Sequence, residues 1–127
     1  MKKWSATIFF IILSYLASSQ PQINNWFFSS YHGLSFSSGN PTYMPGTIGV
    51  NEGGSAVSDH NGQLLLYSDG IRVWNKQRAI MPNGSGLTGG YGSSTQSCVI
   101  VPKTFDESQY YIFTTDEEGG NWDYGTR

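Results

Sequence analysis

Residues 55–75, with the sequence SAVSDHNGQLLLYSDGIRVWN, constrain the fold more than any other part of the chain. Two turn signals, Asn61-Gly62 and Asp69-Gly70, divide this stretch into three short runs with apolar residues. Both signals favour tight hairpins, because Gly, Asn and Asp tolerate the positive φ that hairpin turns require. We therefore predict three consecutive antiparallel strands in this stretch.

The middle run is apolar at four consecutive positions, whereas a half-exposed strand alternates apolar and polar residues. A regular strand places Leu64 and Leu66 on one face and Leu65 and Tyr67 on the other. The run therefore predicts a central strand that is covered on both faces. Sheets stacked face to face in a sandwich or a propeller create that environment.

The composition indicates one modest, all-β, turn-rich domain. The 127 residues include 16 Gly, and aromatic residues make up 15% against only 13% charged residues. So many aromatic residues argue against disorder, and so few charges leave no basic surface for nucleic acid. We see no apolar residues at helical spacing after the N-terminal segment, so strands are predicted throughout.

Residues 1–19 have the pattern of a secretory signal peptide, which leaves 20–127 as the mature segment. Lys2 and Lys3 precede an apolar core at 8–13, and the small residues 17–19 offer a cleavage site. A transmembrane anchor is the alternative, but the apolar run is too short and polar residues follow it at once. We expect a secreted or outer-surface protein with no stable membrane span after cleavage.

Further along the chain, apolar runs and breakers predict the remaining strands and loops. Pro82 and Pro102 are interpreted as strand ends. The predicted strands are 26–28, 34–36, 79–81, 97–101 and 110–115, and the predicted loops are 37–49, 82–94 and 103–108. Cys98, the only cysteine, lies among apolar residues and is interpreted as a buried small hydrophobic residue rather than a nucleophile.

A weak internal repeat supports a propeller. Residues 55–58 match 97–100, which lie 42 positions later, and 66–69 match 113–116, which lie 47 positions later. A period of about 40–50 residues with four short strands is typical of propeller blades, and such repeats need at least about three copies. We therefore expect an incomplete propeller, the first two blades or so of a longer protein.

The chain from about residue 24 onward resembles the N-terminal region of large secreted proteins of Bacteroidota. The shared motifs are, in chain order, NWFF (25–28), GLSF (33–36), EGGSA (52–56), SD (58–59), NGQLLLYSDG (61–70), VWN (73–75), MPNG (81–84), STQS (94–97), VPK (101–103) and YYIFT (110–114). The family often has Gly at the position of Ser29 and Cys at the position of Gly54. The missing cysteine makes a disulfide with Cys98 less expected.

The resemblance implies a β-propeller-like N-terminus, with a gliding-motility-associated C-terminal domain for type IX secretion much further downstream. It implies binding or adhesion rather than catalysis, and it supplies no catalytic residues. The function we expect is a non-enzymatic surface module for a protein or glycan ligand. The alternative is the propeller part of a secreted glycosidase or peptidase whose catalytic residues lie downstream.

Two acidic turns could suggest chemistry, but local structure explains each of them better. Asp59-His60-Asn61-Gly62 resembles the start of a calcium loop, yet the apolar run follows where further oxygen ligands are needed. Asp69 lies in a motif close to the Asp-box of sialidase propellers, with Asp and Gly adjacent instead of separated. We interpret both as hairpin turns, and we expect no catalytic residue, metal ligand or cofactor.

Aromatic side chains are the remaining candidates for a binding surface. Trp26 and Trp74 lie within strands, so we expect them to pack in the core. Tyr91, Trp122 and Tyr124 lie in or near loops, where binding residues concentrate. These three are therefore the predicted ligand-binding residues.

Overall fold

The computed structural model describes residues 20–28, 31–49, 53–89 and 94–115, and this part of the chain is all-β. The predicted signal peptide, 1–19, lies outside it. A single 3-10 turn, Pro21–Ile23, precedes nine strands. The strands are β1 (Asn25–Phe28), β2 (His32–Ser35), β3 (Thr42–Pro45), β4 (Ser55–Ser58), β5 (Leu64–Ser68), β6 (Arg72–Asn75), β7 (Ile80–Ser85), β8 (Cys98–Lys103) and β9 (Asp106–Thr114). Over the described ranges, no helix has the length and apolar character needed to cross a membrane.

The strands form three antiparallel sheets, each of which follows the order of the chain. Sheet A has the order β1-β2-β3, sheet B the order β4-β5-β6-β7, and sheet C pairs β8 with β9. Two separate hydrophobic clusters join them, one between sheets A and B and one between sheets B and C. Sheet B is therefore the middle layer of the three.

Aromatic stacking holds sheet A against sheet B. The ring of Tyr67 stacks on Phe27 of sheet A, with centroids 4.2 Å apart, and on Trp74 of its own sheet at 5.4 Å. The Tyr67 side chain is fully buried, and its hydroxyl lies 2.6 Å from the Thr47 hydroxyl. Offset aromatic contacts of this kind add to the stabilisation from buried area.

Aliphatic side chains hold sheet B against sheet C. Val57, Leu66 and Val73 of sheet B form a buried cluster with Ile100 of sheet C. These residues are the sequence neighbours of the aromatic residues that face sheet A, because adjacent strand residues point to opposite faces. The prediction that the central strand is covered on both faces is confirmed.

A β-bulge changes the predicted faces of β5. Ser58 pairs with Leu64 and Val57 pairs with Leu66, so Leu65 is an extra residue without a partner on β4. As a result Leu64 packs with the aromatic cluster and Leu65 with the aliphatic one. The prediction that Leu64 shares a face with Leu66 is wrong for this reason.

Several predicted strand limits are also wrong, mostly at prolines. β3 lies inside the predicted loop 37–49, β7 continues through Pro82, and β8 continues through Pro102. These strands all lie at the edges of their sheets. A strand edge that faces away from a partner needs no N–H donor, so proline is tolerated there. The predicted turn 103–108 shortens to two residues, since β9 begins at Asp106.

The weak sequence repeat corresponds to matching strand registers. Val57 pairs with Leu66 in sheet B, and Val99 pairs with Phe113 in sheet C, so the 42- and 47-residue spacings connect equivalent pairs. Ser55 likewise pairs with Ser68, and the Thr115 N–H donates to the Ser97 carbonyl at 3.1 Å. β8 and β9 are therefore the structural counterparts of β4 and β5.

Candidate functional site

The three predicted ligand-binding residues lie outside the described part of the chain. Tyr91 falls between 89 and 94, and Trp122 and Tyr124 follow residue 115. Their role in binding stays a prediction. The described residues nevertheless contain several features that bear on function.

The two tryptophans predicted to pack in the core have different environments. Trp74 is 5% exposed and lies in the aromatic cluster, which confirms that prediction. Trp26 is 49% exposed on the outer face of sheet A, so the prediction is wrong for it. The alternation of β1 directs Phe27 inward and therefore turns Trp26 outward. Its indole packs on Phe36 at 5.1 Å and donates to the Ile23 carbonyl at 2.7 Å.

Both end layers of the stack present apolar outer faces. On sheet A, Trp26 and Phe28 are about half exposed and Tyr43 is more exposed still. On sheet C the outward residues are Val99, Val101, Tyr111 and Phe113. Large exposed apolar surfaces are typical of sites that contact another protein segment.

The Asp69 turn, which resembles an Asp-box, performs a structural task. Asp69 is buried, and its Oδ1 atom accepts the backbone N–H groups of Ile71 at 2.9 Å and Arg72 at 2.6 Å. The neighbouring Ser68 hydroxyl donates to the Arg72 carbonyl and accepts from the Gly70 N–H. These bonds satisfy the turn between β5 and β6, which confirms the hairpin interpretation.

The Asp59 turn uses the same chemistry between β4 and β5. Its Oδ1 atom accepts the N–H groups of Asn61 at 2.8 Å and Gln63 at 2.9 Å, and Gly62 adopts a φ of 79°. His60 is exposed in this turn. Among the described residues, no cluster of three or more His, Cys, Asp or Glu side chains could hold a metal ion.

Cys98 is fully buried, in agreement with its interpretation as a small hydrophobic residue. Its thiol donates to the Ser68 carbonyl at 3.3 Å. Burial raises the pKa of the Cys98 thiol, because the thiolate would lose its hydration, and hydrogen bonds from Ser68 and Ser97 only partly oppose this. The thiol therefore lacks the low pKa that marks a reactive cysteine.

A cleft of about 450 Å³ opens where the ends of β4 and β8 meet, and the sequence analysis missed it. Its lining is mainly apolar, and it also carries hydrogen-bonding and charged side chains. The lining residues are Gln22, Val57, Ser58, Asp59, His60, Leu65, Pro102, Lys103, Thr104 and Tyr110. Its two walls come from the turns that follow β4 and β8, so the sequence repeat could have indicated that these turns lie side by side.

A second, shallower groove of about 320 Å³ runs between β1 and the start of β4. Aromatic residues of β1 form one side. Small residues form the other side, namely Gly53, Gly54, Ser55 and Ala56. The groove follows the β1 edge of sheet A, so a ligand there could contact backbone groups. In the cleft, a ligand would contact mainly side chains.

No family model, curated protein or solved structure matches the chain. The functional interpretation therefore depends on the sequence patterns, the strand registers and the geometry of these surfaces.

Proposed function

We propose that the chain supplies the first blades of a propeller-like domain that acts as an exported, non-enzymatic binding or adhesion module. The observation that carries this proposal is the repeated register, in which Val57–Leu66 and Val99–Phe113 are equivalent pairs in adjacent sheets. Repetition of one sheet unit with each unit packed on its neighbours is the principle of propellers. In this proposal each of sheets A, B and C belongs to one blade.

The cleft supports a binding role for such a domain. The turns after β4 and β8 lie at the same end of their sheets and contribute its walls. Lys103 and His60 can donate hydrogen bonds to a carbohydrate or a peptide, and the ring of Tyr110 offers an apolar contact. Tyr91, Trp122 and Tyr124, which lie outside the described residues, stay the predicted ligand-binding residues. The expected ligand is a surface protein or a glycan.

The resemblance to large secreted proteins of Bacteroidota supports the cellular context. Export through the signal peptide at 1–19, further domains downstream and type IX secretion all follow from that context. A propeller part of a secreted glycosidase or peptidase remains the alternative, with its catalytic residues in the downstream domains. The binding module and the enzyme part share the same proposed blades. They differ only in whether a downstream domain carries catalytic residues.

A binding assay with matched variants tests the proposal. We expect the exported protein to bind cell-surface glycans on an array or a surface protein from the same cells. A triple alanine variant at Tyr91, Trp122 and Tyr124 should lose at least about tenfold in affinity. Tyr43→Ala, on the outer face of sheet A, is the control and should bind normally. Unchanged binding by the triple variant would remove the loop surface from the proposal.

A further inference from the structure

Sheet A contains the counterparts of β5, β6 and β7. Tyr31 and Gly70 both adopt a positive φ, of 67° and 88°, in the turns that follow β1 and β5. The carbonyl of each accepts a hydrogen bond from the backbone N–H of a later glycine, Gly46 just after β3 and Gly89 in the segment after β7. These shared turn geometries make β1 equivalent to β5.

The third strands confirm the same alignment. β3 and β7 both carry a Met-Pro pair, and in each sheet the methionine packs toward the next sheet along the chain. Met44 contacts the cluster between sheets A and B, and Met81 contacts the cluster between sheets B and C. Sheet A therefore has counterparts of β5, β6 and β7, but among the described residues it has no counterpart of β4.

The missing strand would pair with the free edge of β1. The Phe36 N–H donates to the Asn24 carbonyl at 2.8 Å, which makes these two residues a hydrogen-bonded pair. Because such pairs alternate along antiparallel strands, Trp26 and Phe28 bond to β2, and the backbone groups of Asn25 and Phe27 point away. Those groups have no hydrogen-bond partner among the described residues.

The groove lies along this edge, and the residues that line its opposite side are small. Gly53 and Gly54 have no side chain, and Ser55 and Ala56 add little volume. In sheets B and C the first strands have similar sequences, Ser55-Ala56-Val57 and Ser97-Cys98-Val99. In both strands the residue between serine and valine is small and faces the previous sheet. The valine pairs with Leu66 in sheet B and with Phe113 in sheet C, which are the positions equivalent to Phe27.

We propose that the free edge of β1 is a strand-acceptor site whose occupant is an extended segment with a Ser-small-Val sequence, antiparallel to β1. An unpaired strand edge provides affinity through backbone hydrogen bonds, and pockets for alternate side chains provide selectivity. The occupant's valine lies beside Phe27 and faces sheet B, as Val57 lies beside Leu66 and faces sheet C. This inference depends on the strand equivalence and is independent of the ligand-binding role proposed above.

Synthetic peptides test the site on the full chain. The probe is a fluorescent peptide of residues 53–60, GGSAVSDH, whose binding to the protein is followed by fluorescence anisotropy. A scrambled peptide of the same composition is the control. Ser97 and Thr115 form a hydrogen-bonded pair in sheet C. Because such pairs alternate along antiparallel strands, Val99 and Phe113 form the next one, so the Val99 amide points toward β9. The valine amide of the peptide should point toward β1 in the same way. N-methylation at the valine amide, the Val57 position, should therefore weaken binding about tenfold or more.

A matched peptide methylated instead at the Ala56 and Ser58 positions should bind like the parent. Residue-resolved hydrogen exchange provides a second readout with unaltered protein. Binding should slow exchange at the amides of Asn25 and Phe27 at least about tenfold and leave Trp26 and Phe28 unchanged. Equal binding by both methylated peptides, or by the scrambled peptide, would overturn the proposal.

Two further outcomes would also overturn it. If Asn25 and Phe27 are protected in the free chain at every concentration, a segment of the chain itself fills the edge. If their protection rises with protein concentration without peptide, a second copy fills it.

Discussion

Sheets A and B contain equivalent strands, yet they differ in what covers them. Sheet B has a first strand, β4, and both of its faces are packed, one by aromatic and the other by aliphatic side chains. Sheet A lacks that strand among the described residues, and its outer face exposes Trp26 and Phe28. Sheet B is thus a core layer, whereas sheet A has an exposed apolar outer face.

The difference shows that the position of a unit in the stack, more than its own sequence, decides which of its side chains are buried. In an array of repeats each unit contacts only its neighbours, so the terminal faces are left open.

The largest effect is expected for Tyr67→Ala in sheet B. The ring of Tyr67 is fully buried between Phe27 and Trp74, and its hydroxyl contacts Thr47. Removal of the Tyr67 ring should lower the free energy of unfolding by about 3–5 kcal/mol, measured by urea denaturation. The matched control is Tyr111→Ala on the outer face of sheet C, where Tyr111 is half exposed, and it should cost less than about 1 kcal/mol. Similar losses for both variants would contradict the layered account.

A smaller loss is expected when a buried turn carboxylate is removed. Asp69→Ala leaves two backbone N–H groups without their acceptor in a buried turn, so we expect a loss of about 3 kcal/mol. Asp59→Ala also removes two backbone hydrogen bonds, but from a more exposed turn where water can replace them, and should cost about 1 kcal/mol. Asp69→Asn keeps an oxygen acceptor and should recover most of the loss. Equal losses at the two turns would show that burial of Asp69 is unimportant.

The Cys98 thiol should be unreactive in the folded protein. Because its pKa is raised by burial, the neutral thiol is favoured in the folded state, and the associated stability is complete below the ordinary thiol pKa. That stability is lost as the pH rises from the ordinary value through the raised one. We expect a disulfide reagent to react on the order of 100-fold more slowly in buffer than in urea. Rapid reaction in buffer would show that Cys98 is accessible.

The smallest stability effect is expected on the outer face of sheet A. Trp26→Gln should change the free energy of unfolding by about 0.5 kcal/mol or less, because the side chain is half exposed. It should also reduce association of the protein at high concentration, measured by sedimentation, since the exposed apolar face shrinks. A large loss of stability would mean that Trp26 belongs to the core.

The sequence was sufficient for the parts of the fold that depend on local patterns. Turn residues and short apolar runs predicted three antiparallel strands within residues 55–75, where β4, β5 and β6 lie, and the middle apolar run correctly indicated two covered faces. The Asp59 and Asp69 turns were interpreted correctly, because Asp and Gly favour the required backbone geometry.

The errors came from features that depend on neighbouring strands. The bulge at Leu65 is invisible in an apolar run, because every register of that run buries apolar side chains. Pro82 and Pro102 were interpreted as strand ends, although edge strands accept proline. Trp26 was assigned to the core because it lies within a strand, but the burial of a strand residue depends on whether another sheet covers its face. The cleft was missed because its walls come from turns more than 40 positions apart in the sequence.

Native-state hydrogen exchange, resolved by residue, tests the central claim most directly. The slowest exchange reports the part of the structure that opens only on global unfolding. If sheet B is the covered middle layer, the paired amides of β5 and β6 should exchange most slowly, and those of β3 and β9 much faster. Slowest exchange in sheet A or sheet C, or uniformly fast exchange throughout, would contradict the stacked-layer account.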